Sequence, residues 1–275
     1  MFPSYLLSLR EGIEAALIVG IVLGALRQMR RTDLSSAVWI GVISASVLSI
    51  LAGVILTVLG LSFEGKAEEI FEGITMLLAA SVLTWMIFWM NRQARNIKGD
   101  LESGVHKAAF EGGKRGLFAL AFLAVLREGI ELALFLVASV FASDVQQTLI
   151  GTFLGLGTAI LLGWSLFATT VRLDLRRFFQ VTGFLLILFA AGLVAHGVHE
   201  FNEAGLIPSV VEHVWDVNSI LDENATLGSM LKALFGYNGN PSLTEVLAYF
   251  AYFVAIFFGL RLSERRIEAA VQSQT

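Results

Sequence analysis

LREGIEAALIVGIVLGAL, residues 9–26, decides how this chain is read, because its charged block returns in FLAVLREGIELALFLVASV, residues 122–140. Arg10 to Glu14 and Arg127 to Glu131 are the same five residues, and both sit inside long apolar runs. A charged side chain at the centre of a membrane helix costs about 2.5–3.5 kcal/mol on insertion scales. Six such groups, added naively, cost on the order of 15 kcal/mol before any pairing is counted. An expense of that size points to a working site, and four carboxylates with two arginines point to a cation.

The surrounding composition is that of a membrane protein. Of 275 residues, 56% are hydrophobic and only 15% charged, with mean hydropathy +0.75; soluble chains carry roughly 25% charged residues. Apolar stretches of about twenty residues recur along the whole length, which predicts an all-α polytopic membrane protein. Alternation at period two is absent, which argues against a transmembrane β-barrel. There is no cysteine, so thiolate ligation, disulfides and dithiol chemistry are excluded. A metal would meet carboxylate, imidazole, amide, backbone or water, a set suited to hard or borderline ions. No basic residue precedes the first apolar run and Arg10 and Glu11 interrupt it early, so the first helix is expected to be retained rather than cleaved as a signal.

Seven spans are predicted, at about 4–27, 37–60, 69–91, 116–141, 148–171, 179–204 and 243–261. Arg27, Arg30 and Arg31 follow the first span, and Arg92, Arg95, Lys98, Lys107, Lys114 and Arg115 the third. Arg172, Arg176 and Arg177 follow the fifth, and Arg261, Arg265 and Arg266 the seventh. The opposite side holds only Lys66 and Lys232. Basic loops stay cytoplasmic, so the N-terminus is expected outside and the C-terminus inside. The chain then reads as one integral membrane domain, 1–275. Residues 1–91 form a first three-helix repeat, 92–115 a cytoplasmic loop and 116–205 a second, inverted three-helix repeat. An extracytoplasmic segment (206–242), a seventh helix (243–262) and a cytoplasmic tail (263–275) complete it.

This topology puts the two motifs on antiparallel helices. With the helical rise of 1.5 Å, Gly12 lies roughly 12 Å below the outer end of its span and Gly129 roughly 18 Å from the inner end of its own. Both fall mid-membrane, where inverted-repeat transporters place their binding sites. Outside the motif the two halves share little residue-level identity. Small-xxx-small spacings (Gly20 and Gly24, Gly151 and Gly155) suit close helix packing, and Trp85 and Trp89 suit an interfacial belt. Asn224-Ala-Thr226 matches a glycosylation sequon and is read as a chance match.

Within each motif the two glutamates are three apart, and the arginine and second glutamate four apart, so all three neighbour one another on a helix. The arginine lowers the repulsion between the carboxylates and keeps them ionised while the site is empty. Gly12 and Gly129 remove a side chain beside the charges. Four negative and two positive groups leave −2, a balance suited to a di- or trivalent ion. Two plainer readings compete: buried ion pairs that fix helix register, and a proton relay of intramembrane glutamates.

Two intramembrane Arg-Glu-Gly-hydrophobic-Glu motifs in a seven-span chain resemble the oxidase-dependent iron transporter family, that of the high-affinity iron permeases, and in particular its bacterial branch. LREGIEAALIVG, EEIFEGI, WMIFWMNRQAR, LRRFFQVTGFLLILFAAGL, EAGL and LFGY carry the likeness from residue 9 to about 237. The resemblance implies iron uptake, with Glu11, Glu14, Glu128 and Glu131 as metal ligands and Arg10 and Arg127 as their partners. It implies iron as substrate, no tightly bound organic cofactor and no enzymatic activity. Partners in the family are separate proteins: a multicopper oxidase in fungi, a periplasmic cupredoxin-like iron-binding protein and a haem peroxidase in bacteria. No nucleic-acid partner is expected.

Two clusters fall on the expected outer side, Glu68, Glu69 and Glu72 at the start of the third span and His196, His199, Glu200 and Glu203 at the end of the sixth. Glu69 and Glu72 resemble the family's Glu-x-x-Glu element, and Glu203 lies in its EAGL segment. They are candidate residues of an outer mouth that concentrates cations, against the simpler reading of solvated helix ends. VVEHVWDVNSILDE and MLKALFGY, in 206–242, read as short amphipathic helices on the outer face. The sequence therefore predicts an iron permease of the cytoplasmic membrane. Its rivals are a transporter of another heavy divalent metal, lead or manganese, and a membrane oxidoreductase subunit whose carboxylates relay protons.

Overall fold

The structure is a computed structural model that describes residues 1–93, 97–142, 145–168, 175–223, 225, 228, 231–232 and 235–272. Arg95 and Arg172 of the basic loops, Asn224 and Thr226 of the sequon, and Met230, Ala233 and Leu234 of MLKALFGY lie outside the described residues. So do the side chains of Arg92, Lys98, Arg176, Arg265 and Arg266.

Long apolar runs without internal breakers become long helices: α1 (Phe2–Gln28), α2 (Ser35–Leu61), α3 (Lys66–Gln93), α4 (Ile97–Lys107), α5 (Gly113–Ala142), α6 (Val145–Ala168), α7 (Leu175–Glu203) and α8 (Leu243–Gln272). There is no strand among the described residues. Pro3 sits in the first turn of α1, where its missing N–H costs nothing. A 3₁₀ turn, Thr32–Leu34, joins α1 to α2. The predicted spans agree with α1, α2, α3, α5, α6, α7 and α8 to within a few residues, except that α8 runs on to Gln272. The stretch expected as a cytoplasmic loop contains α4 and a π-helical turn, Ala108–Gly112, that ends at Gly113 with φ +54°. Five helices are long and apolar enough to cross a membrane, at Thr32–Leu61, Lys66–Trp89, Val145–Ser165, Arg177–Glu203 and Leu243–Leu262. Among the predicted spans, the two outside that set are α1 and α5, the carriers of the three-charge motifs.

The helices fall into two compact units, one of residues 1–62 and 93–182, the other of residues 63–92 and 183–275. In the first, α1 packs chiefly on α6 and α2 on α5. The contacts are backbone-close. A Cβ built on Gly12 would lie 2.6 Å from Ala159 Cβ, one on Gly163 would lie 2.8 Å from Ala16 Cβ, and one on Gly151 would strike the Met1 carbonyl. Between α2 and α5, a Cβ on Gly41 would lie 2.7 Å from the Phe118 carbonyl oxygen, one on Gly53 3.4 Å from Ala133 Cβ, and one on Gly129 2.7 Å from Ser49 Cβ. Residue numbers rise together along both pairs, so α1 runs parallel to α6 and α2 parallel to α5.

Each contact also has a counterpart. Shifting α1 positions by 117 (Gly12 to Gly129) and α2 positions by 110 (Ser49 to Ala159) turns one set of contacts into the other. The same shift aligns Ile40-Gly41, Ile50-Leu51 and Gly53 with Ile150-Gly151, Ile160-Leu161 and Gly163. Identity outside the motif is confined to a few such positions, and because the spacing between first and second helices differs by seven residues, no single fixed shift aligns both helices. Below this crossing, Val22, Ala25, Leu26, Leu34, Val38, Val105, Ala109, Leu117 and Ala121 form a buried cluster that ties α4 to the ends of α1, α2 and α5.

In the second unit α3 and α7 meet at a pair of glycines. A Cβ on Gly73 would lie 3.0 Å from the Gly197 carbonyl oxygen, and one on Gly197 3.2 Å from that of Gly73. Further along α3, Thr84 and Tyr252 of α8 share a 2.9 Å hydrogen bond, and Gly259 faces the Phe88 ring. Residues 210–223, expected as an amphipathic helix, are instead bends and turns. Their backbone groups pair with the stretch leading into α8: Val214 N–H donates to the Pro241 carbonyl (3.0 Å), Val217 N–H to that of Gly239 (2.9 Å), and the Val211 carbonyl accepts from Leu243 N–H (3.0 Å). This cross-pairing takes the Val214 and Val217 donors that a helix would use.

Candidate metal centre

α1 also packs on α5 inside the first unit, and there the two charged blocks come together. One carboxylate oxygen each from Glu11, Glu128 and Glu131 lies within 4.8 Å of the other two. Glu11 is 1%, Glu128 5% and Glu131 7% exposed. Both oxygens of Glu11, Oε2 of Glu128 and Oε2 of Glu131 are sealed from solvent, and no hydrogen-bond donor among the described residues reaches them. Carboxylate oxygens buried without donors are costly. A cation between them removes that cost, and an all-oxygen donor set suits hard or borderline ions.

The arginines behave as the spacing predicts. Arg10 Nη2 lies 3.2 Å from Glu14 Oε1 and Nη1 3.7 Å from Glu11 Oε1. Arg127 Nε donates to Glu131 Oε1 at 3.0 Å and lies 4.0 Å from Glu128 Oε1. The two copies differ in surroundings, because the Arg10 side chain is 1% exposed and that of Arg127 34%. Glu14 is the expected ligand that stands outside the tight trio. It leans on Arg10, within electrostatic reach of Glu131 and Arg127.

The residues expected at an outer mouth lie in the second unit and do not form so tight a group. Glu72 feels the charges of Glu200, Glu68, Glu203 and Glu69, in that order. His196 donates from Nδ1 to its own helix, at the Gly192 carbonyl (3.2 Å). His199 donates from Nδ1 to Glu245 Oε1 (3.0 Å), with Nε2 3.3 Å from Glu203. The sequence reading missed Glu245. It is 4% exposed, accepts from Asn238 Nδ2 (2.8 Å) and from Ser242 N–H (3.1 Å), and its own N–H donates to Ser242 Oγ (3.3 Å). This is a capping box, and Ser242-Leu-Thr-Glu245 ahead of an apolar run was its sequence signal. Asn202 adds bonds from α7 to Ser242 Oγ and Thr244 Oγ1, both 2.9 Å.

Long apolar helices folded around a sealed acidic centre define a multi-pass α-helical membrane protein. Its sequence matches a known group along nearly the whole chain. The chain belongs to the iron permease FTR1 family, whose profile matches residues 1–270. The ferrous iron permease EfeU of Shigella sonnei is 37% identical over 276 aligned positions, covering 99% of this chain and all of its own length. A relative in Escherichia coli K12, whose name marks it as inactive, matches to the same extent. The ferrous iron permease EfeU of Yersinia pestis is 38% identical over 257 positions, 92% of this chain and 91% of its own. No solved structure matches the chain. Family and helices together make this a multi-pass protein of the inner membrane.

Proposed function

We propose that this chain takes up iron across the cytoplasmic membrane through seven membrane helices, α1, α2, α3, α5, α6, α7 and α8, with the N-terminus outside. α1–α3 and α5–α7 are then two repeats of opposite topology. The parallel register of α1 with α6 and of α2 with α5 supports this, as do the counterpart contacts and the basic loops. Glu11, Glu14, Glu128 and Glu131 carry the ion near mid-membrane, and Arg10 and Arg127 pair with the carboxylates beside them. The ion then takes over oxygens that the guanidiniums neutralise in its absence. Glu68, Glu69, Glu72, Glu200 and Glu203 gather cations at the outer mouth, with His199 positioned beside them. Release inward follows movement of one repeat against the other. Oxidation and delivery of iron, where needed, fall to separate periplasmic proteins.

The observation that carries the proposal is the buried trio of Glu11, Glu128 and Glu131, drawn from two helices 117 residues apart, with four oxygens lacking donors. Radioactive iron uptake into proteoliposomes tests it, with ferrous and ferric ion supplied separately and manganese and lead as competitors. Glu11→Ala or Glu128→Ala reduces uptake to background while the protein still inserts, whereas Glu72→Ala mainly raises the half-saturating concentration. Full uptake by either trio variant overturns the assignment, and stronger competition by manganese or lead than by iron transfers it to that metal. His196 bonds its own helix and His199 the Glu245 carboxylate of α8, and the two lie on one helix, so the oxidoreductase reading, which needs haem ligands paired across helices, gains nothing from the geometry.

A further inference from the structure

The trio is lopsided in a chain whose helix contacts come in matched pairs. It takes one glutamate from α1 and two from α5. The shift that relates Gly12 to Gly129 converts Glu11, Glu128 and Glu131 into Glu128, Glu11 and Glu14. Glu11 and Glu128 belong to both sets; Glu131 and Glu14 belong to one each. The surroundings are lopsided in the same sense. Arg10, sealed at 1% exposure, lies 3.2 Å from Glu14 and 3.7 Å from Glu11, while Arg127, 34% exposed, donates to Glu131 at 3.0 Å.

We infer that the ion is passed between two three-carboxylate sets that share Glu11 and Glu128 and exchange Glu131 for Glu14. The inference rests on the proposed transport role of these residues. In the arrangement seen here the ion is bound by Glu11, Glu128 and Glu131. As the repeats exchange environments, Glu131 leaves the ion together with Arg127, to which it is already bonded, and Glu14 turns in from beside Arg10, so the ion keeps two ligands while the third changes. No stage strips the ion of all its carboxylates, which keeps the barrier low. It also assigns opposite tasks to two chemically identical glutamates: Glu131 receives and Glu14 hands on.

The test compares Glu131→Gln, Glu14→Gln and Glu11→Gln, each checked for folding by size-exclusion chromatography. Equilibrium dialysis of the purified protein in nanodiscs with radioactive ferrous ion reads affinity, and proteoliposome uptake reads transport. Partners that merely orient a metal ligand are worth about 10–100-fold in affinity. Glu131→Gln is therefore expected to weaken binding by at least about tenfold. Glu14→Gln weakens it several-fold less yet lowers uptake at saturating iron by at least about tenfold, and Glu14→Asp restores part of that uptake. Glu11→Gln loses both binding and uptake. Equal affinity losses in Glu131→Gln and Glu14→Gln, a larger loss in Glu14→Gln, or normal uptake by Glu14→Gln overturns the exchange. Normal uptake by Glu11→Gln overturns the transport role itself, so the two failures are distinguishable.

Discussion

Arg10 and Arg127 occupy the same place in the same pentapeptide, yet one is sealed and the other is one-third exposed. Removing one partner of a buried ion pair costs about 3–5 kcal/mol because the other charge is left behind, whereas an exposed partner is worth far less. Arg10→Gln should therefore destabilise the protein by about that amount, and Arg127→Gln by less than half of it. Chemical unfolding in detergent micelles measures both, and equal losses would count against the asymmetry. The motif and its pairing with arginine were legible in the sequence, since i,i+3 and i,i+4 neighbours follow from helix geometry alone. Which three of the four glutamates converge was not, because that depends on how α1 meets α5. Glu245 was legible in principle from its capping box, but among residues chosen for metal chemistry a helix-capping carboxylate was easy to pass over.

Between helices, the decisive residues are those without side chains. Gly41 meets the α5 backbone at Phe118 and Phe122, and Gly151 meets the Met1 carbonyl at the start of α1 and the Ser4 hydroxyl. Backbone cannot yield as a flexible side chain can, so Gly41→Val and Gly151→Val should each force α2 from α5 or α6 from α1. Overpacking of this kind costs typically 1–3 kcal/mol and occasionally more. Iron uptake should fall in both, and Gly24→Val, which meets open space, should retain it; a thermal-shift comparison in detergent separates misfolding from altered transport. Seven of the helices were predicted from apolar run length. α4 was missed because its eleven residues, polar on one side, carry no membrane signal, and it is held by Val105 and Ala109 in a cluster assembled from four other places in the chain. The stretch 210–223 misled for the opposite reason: its amphipathic spacing is real, but tertiary pairing to residues 239–243 overrides local preference.

For the molecule as a whole, the proposed orientation is open to direct measurement because the chain has no cysteine. Glu64→Cys, in the turn before α3, should react with a membrane-impermeant maleimide added outside intact cells. Glu111→Cys, in the π turn before α5, should react only after the membrane is opened. The reverse pattern would invert the topology and with it the direction of transport. The matched contacts of α1 with α6 and α2 with α5 bear on how such a protein is made. α1 enters the bilayer with Arg10, Glu11 and Glu14, a burden of about 8–10 kcal/mol if unrelieved, while the helix that will cover it has not been translated. Ribosome and translocon must shelter this first segment for more than a hundred residues, until α6 emerges. Biogenesis, rather than folding of a finished chain, is then where damage to either charged block is first felt.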